Sequence, residues 1–443
     1  MPDSLDPVLD TVVDFTDRGF PSAGVSAGVR LRDVGAQGWH ALRPPMSLPL
    51  LLLKRAALDN NLDAMSRYCA ANGLLLAPHG KTHMSPQLWQ EQESHGAWAV
   101  TVASAHQAEV YRRFGARRIL IANELVSAAD LGWLTDVRAA DPGCELLLVV
   151  DSPAAAERLA AALTSTPAPV PRPDPQPVLI EVGYPGGRAG ARDLAAVVAT
   201  ARAVAAQPAL RVAGIEGFEG AVPAGDAPPG RTSGASGFAA RLAAVRDYLG
   251  YAREAVMALW SRTLLTGDVI VTFGGSIFFD VVTELLAEGW PPELRVQVVL
   301  RSGCYLTHDH GLYAGGFEQP GLFRPGRRPP LEPALELWAA VLSCPEPDLA
   351  IVGFGRRDAP FDAGLPVPLR LRREDAETPL RGRARVEQLN DQHAFVRTEP
   401  GLFAVGDLAG FGVSHPCTAF DKWRLLPVVD GNYAVTGAVR TYF

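Results

Sequence analysis

Cysteine is scarce in this sequence, with five among 443 residues, at positions 69, 144, 304, 344 and 417. An odd count at wide spacings writes no disulfide framework, so the thiols are read as reduced and the setting as cytoplasmic. Charge is modest at 20% of residues, with a net charge of −7 and no strongly basic stretch, which argues against a nucleic-acid partner. Long hydrophobic runs are missing too. The leucine-rich stretch 48–53 is interrupted by Pro49 and followed by Lys54-Arg55, well short of the ~20 residues that cross a bilayer. The first residues, Met1-Pro2-Asp3-Ser4, lack the basic-then-apolar pattern of a secretory leader. Neither an internal repeat nor a coiled-coil heptad is present. What remains is 48% hydrophobic residues, enough for a core of ordinary size and too many for global disorder.

Short apolar runs alternate with amphipathic stretches through the middle of the chain. The runs 74–78, 98–103, 118–122, 145–151, 178–182, 210–214, 269–273 and 294–300 read as strands. Between them, 104–114, 128–138, 153–163, 191–206 and 238–264 carry apolar residues at helical spacing. Strand followed by helix is the pattern of a parallel sheet. Eight such units over roughly 240 residues fit an α/β fold of the (β/α)8 TIM-type barrel kind, with an open doubly wound sheet as the alternative. A run at 49–54 is surplus to the eight. Beyond Gly311 the texture changes to short alternating runs (335–341, 384–388, 394–398, 433–440) separated by glycine and proline, which predicts a C-terminal β-rich domain. The expected division is a barrel over 46–312 and a β domain over 313–443, joined by the N-terminal segment 1–45. Three Pro/Gly-rich stretches, 165–177, 222–237 and 320–333, read as solvated loop insertions.

Barrel enzymes build their sites from the loops at the C-terminal strand ends. After the first strand comes Pro78-His79-Gly80-Lys81-Thr82-His83. A lysine there can be desolvated and lowered in pKa, as a Schiff-base lysine requires, although a solvated loop lysine is the commoner outcome. After the seventh comes Gly274-Gly275-Ser276 and then a helix, an arrangement that offers backbone N–H groups to a phosphate. After the fifth, Glu181 is followed by Arg188-Ala189-Gly190; after the eighth lie Gly303-Cys304-Tyr305. Lysine, phosphate-type loop and arginine at one rim suggest pyridoxal 5'-phosphate, while a phosphorylated sugar held through a lysine would use the same parts. In the β region, His415-Pro416-Cys417 would point both side chains to one face of an extended segment. An imidazole and a thiolate are ligands that zinc favours; a turn histidine beside a buried cysteine is the plainer reading. Asp391, Gln392 and His393 form a further polar cluster or a turn, and Cys69, Cys144, Cys304 and Cys344 read as packing residues.

Together these motifs resemble the D-serine dehydratase and D-threonine aldolase family, within the alanine-racemase-like (fold type III) pyridoxal-phosphate enzymes. The likeness runs from about Pro49 to the C-terminus and is carried most specifically by Pro78–His83 and His415-Pro416-Cys417. It implies Lys81 as the cofactor-linked lysine, with Gly274, Gly275 and Ser276 on the phosphate and His79, Arg188 and Tyr305 around the cofactor. It implies Zn2+ on His415 and Cys417, and a homodimer. D-Threonine aldolases tend to carry aspartate where Cys417 stands, so that residue favours the dehydratase branch. Ala77 and Met84 depart from the family pattern, which often has basic residues there. The expected activity is zinc-assisted deamination of D-serine or a related D-3-hydroxy amino acid to a keto acid and ammonia. Retro-aldol cleavage of a D-threonine-type substrate is the nearest alternative, and an amino-acid racemase a more distant one.

Overall fold

The computed structural model describes residues 5–21, 28–165, 174–223, 235–317 and 328–443. Of the three loop insertions expected from the sequence, the central parts 166–173, 224–234 and 318–327 lie outside the described residues.

Eight parallel strands form one sheet: Leu75–Leu76, Val100–Val102, Arg118–Ile121, Glu145–Val150, Gln176–Glu181, Leu210–Glu216, Val269–Phe273 and Val296–Leu300. Its first and second strands, which end the ladder, are themselves joined. Trp98 N donates to Leu76 O at 2.7 Å, Thr101 N donates to Pro78 O at 2.9 Å, and His79 bridges Thr101 in parallel. The sheet therefore closes into a barrel. Each strand is buried on both faces and so reads as a continuous apolar run. Along the fourth strand Leu147 and Val149 fill the barrel interior with Leu120, Leu179 and Val299, while Leu146, Leu148 and Val150 pack outward against the helices.

The helices follow their caps. Ser104 accepts from Gln107 N and opens Ala105–Arg113; Ser127 accepts from Asp130 N and opens Ala128–Ala140. The helix expected from residue 191 begins at Leu194 instead, because Asp193 caps it and Ala191 is spent on a bridge to Val182.

An antiparallel sheet follows, built from the strands between Leu335 and Arg440. The surplus strand Leu50–Lys54 belongs to this sheet, between Leu335–Glu346 and Leu425–Val429. Its alternation couples two cores. Leu51 and Leu53 join the main apolar cluster, whereas Leu50 and Leu52 pack with Val8, Phe20, Trp338 and Leu425 in a second one. The strand expected at 433 starts at Val435, since Tyr433 holds φ +62° in the preceding turn. No helix among the described residues is long and apolar enough to cross a membrane.

Candidate active site

Lys81 stands on a single helical turn, Gly80–Thr82, directly after the first barrel strand. The turn needs glycine at position 80, because a Cβ there would lie 2.5 Å from the Tyr111 ring, whose hydroxyl donates to Gly80 O at 2.8 Å. The lysine enters a cavity of about 170 Å3 at the strand ends, lined also by His79, Arg188, Gly274 and Gly275. Five residues expected from sequence thus share one cavity. Burial lowers the Lys81 amine below its usual range; the Cys417 sulfur opposes this, and the Arg188 charge adds to it. His79 is held neutral mainly by burial and then by the Lys81 charge, and its buried Nδ1 has no hydrogen-bond partner among the described residues. The Arg188 guanidinium lies 5.1 Å over the Phe218 ring at the cavity wall, within cation–π range.

The glycine loop grips a side-chain carboxyl. Gly274 has φ +100°, and a Cβ on it would meet Leu300 Cδ2 at 2.8 Å. Both amides are given to the buried Glu219: Gly274 N donates to Oε2 at 3.1 Å and Gly275 N to Oε1 at 2.5 Å. Ser276 takes another part, its hydroxyl accepting from Cys304 N at 3.3 Å. An anion-gripping loop, a desolvated lysine and an unpartnered imidazole nitrogen in one small cavity fit a phosphorylated carbonyl cofactor.

The cavity also holds an acidic floor, of which the motifs included Glu181 without giving it a role and left out Glu216 and Arg301. Arg301 pairs with Glu216 and donates to Gly217 O, all deep in the barrel. Burial pushes the Glu216 and Glu181 carboxyls up, with mutual repulsion adding to Glu181. Asn123 and Phe218 complete the wall. Glu181 and Glu216 end the fifth and sixth strands, so strand-end position was the available signal.

His415 and Cys417 come together, though not on an extended segment. The strand ends at Gly412; Pro416 is helical at φ −59°, ψ −42°, and Cys417 opens the helical turn Cys417–Phe420. Proline forces a tight turn here, and the turn brings the ring and the sulfur into a shared hydrogen bond. His415 Nδ1 lies 2.7 Å from Asp362 Oδ2. Cys417 Sγ is 3.4 Å from Thr82 Oγ1, so the pair borders the lysine turn. Cys304, expected as mere packing, has its sulfur 3.4 Å from that of Cys417. A hydrogen bond from Cys304 lowers the Cys417 thiol most; burial opposes it and His415 adds to it. A thiolate with an adjacent imidazole suits a borderline-soft ion such as zinc. Among the described residues no three His, Cys, Asp or Glu side chains form a preassembled metal group.

Tyr305 is not on the cavity. It is 3% exposed, packs in the main core and accepts from Gln92 Nε2 at 3.2 Å through its hydroxyl. The short turn Cys304–Leu306 points it inward, away from the strand ends. Asp391, Gln392 and His393 are exposed on a hairpin turn, with Asp391 paired to Arg357 at 3.5 Å.

Two family models match this chain: the alanine racemase N-terminal domain over residues 53–265 and the putative serine dehydratase domain over residues 334–429. The chain is 27% identical over 362 residues to 3-hydroxy-D-aspartate aldolase of Paracoccus denitrificans, covering 81% of this chain and 82% of that protein. It is 32% identical over 116 residues to D-threo-3-hydroxyaspartate dehydratase of Delftia, covering 26% and 30% respectively. The crystal structure of D-threonine aldolase from Filomicrobium marinum superposes with a TM-score of 0.71 at 24% identity, over 90% of this chain and 95% of that one. The chain belongs to the alanine-racemase-like, fold type III pyridoxal-phosphate enzymes. Within them its class is that of the pyridoxal-phosphate-dependent lyases.

Proposed function

We propose that this enzyme deaminates D-serine or a related D-3-hydroxy amino acid to a keto acid and ammonia, the water eliminated from the β-carbon being taken back when the dehydrated product hydrolyses, with zinc assisting. The observation that carries this reading is the adjacency of Lys81 and the Cys417–His415 pair across Thr82. Pyridoxal 5'-phosphate supplies the electron sink that makes the substrate α-carbon acidic. His415 and Cys417 would hold a Zn2+ ion, which would supply Lewis-acid assistance to the departing β-hydroxyl. The chain's own residues do the rest. Lys81 carries the cofactor through its amine and, when released, takes the α-proton; burial keeps that amine in its basic form nearer neutrality. The Gly274–Ser276 loop and Arg188 hold negative charge at the rim, and neutral His79 offers a ring nitrogen without adding a charge.

Retro-aldol cleavage is the second reading, favoured by the aldolase names among the relatives. It needs a base on the β-hydroxyl instead of an acid behind it. Cys417 in place of an aspartate supports the dehydratase. A panel of D-3-hydroxy amino acids, with keto acid and glycine measured with and without chelator, tests the choice. Keto acid from D-serine, lost on chelation and restored by zinc, is expected; glycine and aldehyde as the sole products would overturn the proposal. The reading includes a homodimer in the cytoplasm, which sedimentation of the pure protein and fractionation of cells would check.

A further inference from the structure

The metal motif is anchored to a loop more than fifty residues away in sequence. Ser414 Oγ donates to Gly364 O at 2.6 Å, His415 Nδ1 lies 2.7 Å from Asp362 Oδ2, and Thr418 Oγ1 donates to Asp362 Oδ1 at 2.6 Å. The three bonds come from both sides of His415 and converge on residues 362 to 364. An ionised carboxylate only accepts, so the Nδ1 facing Asp362 must carry the hydrogen. The other nitrogen of the neutral ring, Nε2, is then left without a hydrogen and open to a metal, and the same ring interacts with the Cys417 sulfur. Thr418 occupies the second carboxylate oxygen and so stops Asp362 from turning away from the ring. Hydrogen bonding from a carboxylate to the far nitrogen of a ligating imidazole fixes ring tautomer and orientation and raises its basicity towards a metal.

We propose that Asp362, held by Thr418, is the positioning residue that makes His415 a zinc ligand through Nε2. This rests on the reading of His415 and Cys417 as the metal pair. Asp362 touches neither the cavity of Lys81 nor the sulfur, so its part is played through the ring alone. Its loop is tied to the motif by side-chain hydrogen bonds, and a shape-preserving change at 362 therefore leaves an acceptor for Nδ1–H while removing the charge.

The test is zinc affinity of the purified protein, measured by competition with a chromophoric chelator, for wild type, Asp362→Ala, Asp362→Asn, Thr418→Val and His415→Ala. Asp362→Ala is expected to bind zinc about 10–100-fold more weakly, Asp362→Asn to recover part of that loss, and Thr418→Val to fall between wild type and Asp362→Ala. Cobalt substitution gives a second readout. The thiolate-to-metal band from Cys417 should persist in Asp362→Ala while the ligand-field bands change. Zinc binding by Asp362→Ala equal to wild type, with His415→Ala weakened, would overturn the positioning role and leave the metal pair standing. A wild-type protein that binds no zinc, or a His415→Ala protein that binds it unchanged, would overturn the metal reading and this role with it.

Discussion

The sulfur atoms of Cys304 and Cys417 lie 3.4 Å apart, although 113 positions separate them in the chain. The hydrogen bond to Cys417 and then burial keep Cys304 as the thiol, while the same bond lowers Cys417. A thiolate beside a thiol is the arrangement from which a disulfide grows. Hydrogen peroxide applied to the metal-free protein should oxidise Cys417 to a sulfenic acid, which condenses with Cys304 and releases water. Peptide mass spectrometry should then find the Cys304 and Cys417 peptides joined, and dithiothreitol should separate them. Zinc, by occupying the Cys417 sulfur, should protect the pair. Cross-links to Cys69, Cys144 or Cys344 instead would contradict the arrangement.

Lys81 and Arg188 share the cavity, and their charges repel. Burial is the main cause of the lowered Lys81 pKa and Arg188 contributes in the same direction. Removing that positive charge with Arg188→Gln should raise the pH at which Lys81 becomes a neutral, reactive amine. The rate of covalent pyridoxal-phosphate attachment, trapped with borohydride as a function of pH, should show its midpoint moved upward in the variant. Lys81→Ala should abolish attachment altogether and lower turnover by ~10³-fold or more. An Arg188→Gln midpoint below that of wild type would place the guanidinium elsewhere.

Much of this was legible in the sequence, for a physical reason. Strands buried on both faces announce themselves as unbroken apolar runs, and 145–151 and 269–273 lie within a residue of Glu145–Val150 and Val269–Phe273. Motifs compact in sequence, such as His79 to His83, carry their geometry locally. The family resemblance implied Tyr305 beside the cofactor, yet the turn that begins at Cys304 leaves it in the core against Gln92. Asp362 and Cys304 had no local signal at all. Their roles arise where the antiparallel sheet folds back on the barrel, and pairings across 53 and 113 residues leave no spacing to read.

Two glycines with opposite surroundings should respond oppositely to alanine. Gly274 has a positive φ and no room for a Cβ beside Leu300, so Gly274→Ala carries backbone strain of roughly 1–3 kcal/mol. It should melt at lower temperature and bind pyridoxal phosphate more weakly, because the strain distorts the loop proposed to carry the phosphate. Gly250 lies inside the helix Ala235–Trp260 with open space where a Cβ would go. Gly250→Ala should stabilise the protein by about 0.5–1 kcal/mol. Calorimetry on both variants, with cofactor titration by absorbance, checks the contrast; equal melting temperatures would refute it.

His83 should make the protein acid-sensitive through a single buried ring. It is 1% exposed; its Nδ1 accepts from Ser85 N at 3.0 Å, and its Nε2 faces Gln92 Oε1 at 3.2 Å. Because Ser85 donates to Nδ1, the neutral ring carries its hydrogen on Nε2, towards Gln92. A second proton on Nδ1 would confront the Ser85 N–H, and burial lowers the pKa from 6.5 to about 4. In the unfolded chain the ring protonates near 6.5, so between pH 6.5 and 4 the unfolded state binds the extra proton and stability falls. The loss through this group approaches about 3 kcal/mol at the acid end. His83→Gln should be less stable than wild type at pH 7, where the native ring is well accommodated. Its stability should decline less steeply with acid, so the two urea-unfolding curves converge as pH falls to 4. A gap that stays constant from pH 7 to pH 4 would mean that His83 does not titrate in this window.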